Sequence, residues 1–334
     1  MKERIVYIDQ LKGLAIMLVV MGHINAFCLG EDNVILQAII ASLDMPLFFF
    51  LSGMFMKREP FSRIETVDFI KRKTRSLLFP FLTVGFIYTF YAGRSLSGFW
   101  ADEWKYGYWF LLVLWIFSIV FIVFNWLVHF IIKRMPGIYP ICVDIILIFV
   151  FVAIAQLFIH FFDDEMNLLL SLYRIPKNLA FFLLGGTAVK YGLIDKILSN
   201  RYLYSVNLLV YCGVFLMRNY LGGIFLCGIP AIMVCLYLFY TGISQKNVIM
   251  IFLNFVGGKT LDIYIFHYFF LLALNIPKVG KYMGYLTGNG LVIFLICIFF
   301  SVIITLLCLG VSKVISGSNI LSTLLLGKKF ERNG

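Results

Sequence analysis

The sequence predicts an all-α, polytopic integral membrane protein: ten transmembrane helices in a single domain over residues 1–334, with both termini cytoplasmic. Three observations carry this. The chain is 62% hydrophobic and 13% charged, with mean hydropathy +0.96, whereas soluble domains are about a quarter charged. Its apolar residues cluster into runs of about twenty, the length that crosses a hydrocarbon core. Its basic residues are distributed unevenly between the segments that join those runs.

The runs fall at 9–29, 34–56, 77–92, 108–132, 139–161, 178–192, 202–217, 221–241, 260–276 and 290–315. The segment 248–256 (VIMIFLNFV) is too short to cross and is expected at the interface. With the N-terminus inside, only seven of the 28 Lys and Arg fall in outer loops: Arg94, Lys105, Arg174, Lys177, Arg218, Lys278 and Lys281. The outer loops also hold the acidic groups Glu31–Asp32, Asp102–Glu103 and Asp163–Asp164–Glu165. That bias supports an even number of spans. It also accounts for the net charge of +11 without nucleic acid as a partner. No cleaved leader is expected, because the first apolar run exceeds an h-region and no small-residue cleavage site follows it. The seven cysteines show no metal-ligand spacing and read as reduced, buried packing residues.

Within the first run, YIDQLKGLAIMLVVMGHI (Tyr7–Ile24), Lys12 and His23 are unnecessary for spanning. Eleven residues turn a helix by roughly 1100°, three turns plus about 20°, and advance it by roughly 16 Å. The two side chains therefore share one face. Asp9 lies about 40° off that line and forms an i,i+3 pair with Lys12. Ionisable groups in a bilayer cost a few kcal/mol each and seldom face lipid, so the stripe should face the protein interior or a watery cavity. Alternatively, Lys12 snorkels to the headgroups and His23 bonds a neighbouring helix.

In the second run, Pro46 frees a backbone carbonyl and is expected to kink the helix. Ser52–Gly53 suits close helix packing. Asp44 is a third intramembrane ionisable group. A short loop makes the first two helices antiparallel neighbours, and counting from it puts His23 about 10 Å and Asp44 about 16 Å below the outer end. An Asp44–His23 pair would be a base-activating arrangement; the alternative is a polar contact between helices. The basic segment Lys57–Pro80 follows, with Arg72 and Arg75 one turn apart where the third run begins. Arginine there suits a phosphate-rich ligand, although most of the segment simply obeys the positive-inside rule. His267 lies about 10 Å inside the ninth run. Lys259 and Asp262 stand at that run's inner end. Trp109 opens the fourth run as a belt residue or a surface on which a sugar could stack. His129 and His160, near span ends, are assigned no chemistry.

The ordered set IDQLKGLAIMLVVMGH (Ile8–His23), MPLFFFLSG (Met45–Gly53), KRKTRSLLFPF (Lys71–Phe81), YWFLLVL (Tyr108–Leu114), FFLLGG (Phe181–Gly186) and GGKTLDIYIFHY (Gly257–Tyr268) resembles the membrane-bound acyltransferase-3 family, whose members O-acylate sugars of cell-envelope and exported glycans. The resemblance implies ten helices in a bacterial inner membrane, acyl-CoA (usually acetyl-CoA) as donor, and a carbohydrate or lipid-linked glycan as acceptor. The family's basic residue, ten positions and histidine fall on Lys12 and His23. Lys12 replaces the usual Arg, keeping the charge but losing bidentate geometry. The family's arginine at the third helix falls on Arg75, with Arg72 close by, and its later histidine falls on His267. The resemblance therefore implies Lys12, Arg72 and Arg75 at the donor's phosphates and His23 at the thioester, with His23 as general base or, in a variant, as an acyl carrier. A proton-coupled transporter or flippase of glycan precursors is the competing reading, with Asp44, His23 and Lys12 as a proton relay. No inverted repeat is evident in the sequence.

Overall fold

The computed structural model describes residues 6–28, 34–57, 59–198, 200–218, 224–241, 247–273 and 290–329. The first interhelical loop with Glu31 and Asp32, together with Arg58, Lys278 and Lys281, lies outside them. The described residues are 87% helix, with no strand among them. In hydrocarbon, an isolated segment satisfies its backbone groups internally only as a helix.

The helices are α1 (Val6–Cys28), α2 (Val34–Met54), α3 (Arg63–Lys73), α4 (Phe79–Tyr91), α5 (Leu96–Ala101), α6 (Trp109–Arg134), α7 (Pro140–Phe161) and α8 (Asp164–Leu169), followed by α9 (Ile175–Lys190), α10 (Leu193–Leu198), α11 (Arg201–Leu216), α12 (Gly228–Thr241), α13 (Val248–Gly257), α14 (Thr260–Ala273), α15 (Gly290–Ile315) and α16 (Asn319–Leu326). Every expected span thus falls on a helix. Length divides them. Five helices, α1, α2, α6, α7 and α15, are long and apolar enough to cross a membrane, and α13 with α14, bent by 91°, would make a sixth. The spans expected at α4, α9, α11 and α12 have 13 to 16 residues, roughly 20–24 Å at 1.5 Å per residue. By length, five or six crossings are supported among the described residues, against the ten expected.

The chain forms two compact units, Met1–Leu51 with Gly192–Val311, and Ser52–Tyr191 with Ser312–Gly334. In the first, α1 and α13 meet through glycines. The Gly13 α-carbon lies against the Leu253 carbonyl, and that of Gly257 against the Asp9 carbonyl; a Cβ at either position would collide with backbone. The segment expected at the interface is therefore packed on α1. Gly257→Ala should cost about 1–3 kcal/mol, because backbone cannot swing aside as a side-chain tip can. A lowered thermal midpoint of the purified protein checks this, and an unchanged midpoint would refute the contact.

In the second unit, Gly53 packs its α-carbon on the Phe182 carbonyl of α9, the close approach expected of Ser52–Gly53. The buried Asp144 of α7 receives Lys190 of α9 on both carboxylate oxygens at 3.0 Å. Helix α3 starts at a capping box. Ser62 Oγ accepts the Glu65 N–H at 3.3 Å, Glu65 Oε2 accepts the Ser62 N–H at 2.9 Å, and Lys57 donates to Glu65 Oε1 at 2.7 Å. Helix α3 then passes through a π-helical turn, Thr74–Leu78, into α4. Pro80 is the local cause: it supplies no N–H and its ring clashes with the carbonyl four residues back, so the helix widens before it.

Helix α2 runs through Pro46, which lies inside it. One detail differs from expectation. Cys142 and Cys212 are exposed, while Cys227, Cys235, Cys297 and Cys308 are buried, and all six are free thiols. Helix outer faces that meet lipid need only be apolar, and a thiol satisfies that.

Candidate active site

Helix α1 carries the expected stripe. Lys12 pairs with Asp9 Oδ1 at 3.1 Å, with Asp9 buried. Farther along, His23 Nε2 lies 2.8 Å from the hydroxyl of Tyr268 on α14. The His23 ring also stacks on His267 at 5.3 Å between centroids and on Phe27 at 5.6 Å. His267 is fully buried. Its Nδ1 lies 2.7 Å from the Tyr264 carbonyl. A carbonyl only accepts, so Nδ1 bears the proton and Nε2 presents a lone pair. That Nε2 is buried with no partner among the described residues. His23 is half-buried, and its Nδ1 has no partner among the described residues. The cluster thus offers two aromatic nitrogens, His23 Nδ1 and His267 Nε2, that no group among the described residues occupies.

Asp44 does not complete this cluster. Its Oδ1 turns back to accept the Met45 N–H at 2.6 Å, and no hydrogen bond or ion pair joins it to His23. The phenol of Tyr268 takes the place expected for the carboxylate. His267 sits beside His23. Tyr268 is the residue that sequence reading missed. Its signal was only its position directly after His267 on a helix that reads as aromatic packing.

In the second unit, Lys71, Arg72, Lys73 and Arg75 lie at the end of α3 and in the π turn. None has a carboxylate partner among the described residues. Arg72 and Lys73 both lie 5.5 Å from the centre of the Phe69 ring. Burial, with Arg72 adding to it, pulls the Lys73 ammonium down to about 8. Arg75 Nε is buried and unpartnered. The π turn that holds it is fixed from two sides. Thr74 Oγ1 accepts the indole N–H of Trp115 at 3.0 Å. Gly327, at φ 64°, ends α16 against Arg75, where a Cβ would come within 2.6 Å of the Arg75 carbonyl oxygen. A buried guanidinium nitrogen without a partner is costly unless something else supplies the acceptor.

Trp109 differs from its expected role. It is 5% exposed, edge-on to Trp104 at 6.2 Å, with the Arg174 guanidinium 5.4 Å from its ring centre. It has no open face for a sugar. The exposed indole is its neighbour Trp104.

The long apolar helices and the stacked imidazole pair define an all-helical membrane protein with base chemistry available between its helices. A family model described as an acyltransferase domain, acyltransferase-3, matches residues 5–310. The chain therefore belongs to the acyltransferase-3 family, and this membership supports acyltransferase activity in a membrane protein. No curated relative and no solved structure matches the chain.

Proposed function

We propose that the protein is a membrane O-acyltransferase that moves an acetyl (acyl) group from cytoplasmic acyl-CoA to a hydroxyl of a cell-envelope or exported carbohydrate. The proposed setting is a bacterial inner membrane, with ten spans and both termini cytoplasmic. The observation that carries the chemistry is His23: Nε2 is engaged by Tyr268 while Nδ1 is unoccupied. With Nε2–H donating to the phenolic oxygen, Nδ1 holds the lone pair. The acceptor oxygen attacks the thioester carbonyl as Nδ1 takes its proton. The C–S bond breaks, the ester forms, and the proton passes to the leaving thiolate.

The donor reading rests on the second unit's cations. Lys12, Lys57, Arg174, Lys190 and Lys259 each have a carboxylate within 4 Å, whereas Lys71, Arg72, Lys73 and Arg75 have none among the described residues. Such a group suits a ligand with several phosphates, and arginine takes two phosphate oxygens at once.

A pH dependence follows from Lys73. A bound phosphate favours the ammonium, so binding takes up a proton once pH exceeds the free value of about 8. Affinity for acetyl-CoA should be flat below about pH 8 and fall above it, by up to about tenfold per pH unit. Titration calorimetry between pH 7 and 9.5 reads this. Lys73→Met should flatten the profile, and an unaltered profile in that variant would remove Lys73 from the donor site.

The functional test uses purified protein in vesicles with labelled acetyl-CoA and candidate glycans or lipid-linked sugars. Ester-linked label on a glycan supports the enzyme. Movement of unmodified glycan without acetyl transfer would replace it with a transporter.

A further inference from the structure

Three non-glycine residues among those described have positive φ: Lys105 at 49°, Tyr106 at 50° and Ser171 at 52°. All three meet in one place, where the loop between α5 and α6 packs on the loop between α8 and α9. Each such residue costs about 1–3 kcal/mol, and such outliers cluster at functional sites.

The cluster is built around Lys105. This side chain is fully buried and donates to the carbonyls of Trp100 at 2.8 Å, Asp102 at 2.7 Å and Leu168 at 2.6 Å, using all three ammonium donors. Asp102 Oδ1 accepts the N–H groups of Trp104 at 2.8 Å and Tyr106 at 3.1 Å. Ser171 Oγ reaches the Glu103 carbonyl at 3.4 Å. The nearly buried Arg174 has Nε 2.9 Å from Glu103 Oε1, an ion pair by distance. Its guanidinium carbon stands 3.3 Å from the centre of the Trp104 ring.

These contacts fix an indole that is 49% exposed. The Arg174 guanidinium covers part of the Trp104 ring, about half of the residue remains exposed, and the partly exposed Glu103 carboxylate is held by that same guanidinium. A belt tryptophan needs none of this: any rotamer that spans the headgroup region serves. A rigid aromatic face next to a carboxylate suits a neutral ligand with C–H groups on one side and hydroxyl donors at its edge.

We propose that Trp104, backed by Arg174 and flanked by Glu103, is a platform for one pyranose ring of the acceptor glycan. The ring would stack by its C–H face on the indole, and its hydroxyls would donate to the Glu103 carboxylate. This rests on the carbohydrate-acceptor reading above.

The test uses the full chain in nanodiscs on an array of bacterial envelope oligosaccharides, without acetyl-CoA. The wild type should bind a subset of the glycans. Trp104→Ala should weaken that binding by about tenfold, and Trp104→Phe should retain part of it. Glu103→Gln should change which glycans are bound. Where transfer is measurable, Trp104→Ala should raise the acceptor KM and leave the acetyl-CoA KM unaltered. Equal glycan binding by Trp104→Ala and wild type, or no glycan bound by the wild type, would overturn the platform. Because no donor is present, the array reads binding alone; glycan binding there together with no acetyl transfer in the vesicle assay would uphold the platform and remove the enzymatic reading.

Discussion

Acyl transfer by His23→Ala should fall about 10²–10⁴-fold below wild type, the range a positioned general base contributes. That corresponds to about 3–5 kcal/mol of transition-state stabilisation. The loss should appear in kcat, because the proton is taken only as the acceptor oxygen attacks. Alanine also removes a ring stacked on Phe27 and His267, so His23→Gln is the companion variant, and a retained thermal midpoint shows that the fold survives. Tyr268→Phe separates positioning from packing. It keeps the ring against His23, 4.8 Å between centroids, and deletes only the hydroxyl at Nε2. The expected result is a loss of about tenfold, smaller than for His23→Ala, since the base remains but its tautomer is no longer held. Steady-state rates with saturating donor and acceptor decide it. A Tyr268→Phe enzyme as fast as wild type would remove the tyrosine from the mechanism.

The second large effect is expected at Arg75. Its Nε is buried and has no partner among the described residues. Charge-assisted hydrogen bonds contribute about 1.5–3 kcal/mol each, and a guanidinium makes two to one phosphate. Arg75→Ala should therefore weaken acetyl-CoA binding by about 10²-fold or more, with little effect on the rate at saturation. Arg75→Lys keeps the charge and loses the fork, so it should recover only part of the affinity. Dephospho-coenzymes compared on both variants show which phosphate is held. If Arg75→Ala binds acetyl-CoA as wild type does, the orphaned nitrogen serves only the π turn.

The helices were readable because apolar runs of membrane length have one stable conformation in hydrocarbon. The stripe on α1 was readable because helical spacing alone puts Asp9, Lys12 and His23 on one face. Partners across helices were not. Asp44 and His23 lie within a turn of each other in depth, but depth does not fix which way a side chain rotates, and Asp44 turns to its own backbone. Tyr268 reaches His23 from 245 residues away, and no local pattern marks which of the chain's 18 tyrosines does so. The Asp144–Lys190 pair escaped for the same reason. Trp109 read as a belt residue or a sugar surface, and nothing in the sequence singled out Trp104; only the fold of the α5–α6 loop buries the one and exposes the other. The π turn at Arg75 had a legible cause in Pro80, but its tie to Gly327 comes from the far end of the chain.

The central claim is that the thioester of a bound acyl-CoA meets the imidazole of His23. Bromoacetyl-CoA tests it directly, since its electrophilic carbon takes the place of the acetyl methyl group. After incubation with the full chain in nanodiscs, peptide mass spectrometry should find a carboxymethyl-type adduct on His23, suppressed by excess CoA and diminished in Arg75→Ala. Adducts confined to other residues, or an adduct on His23 that excess CoA does not suppress, would contradict the claim.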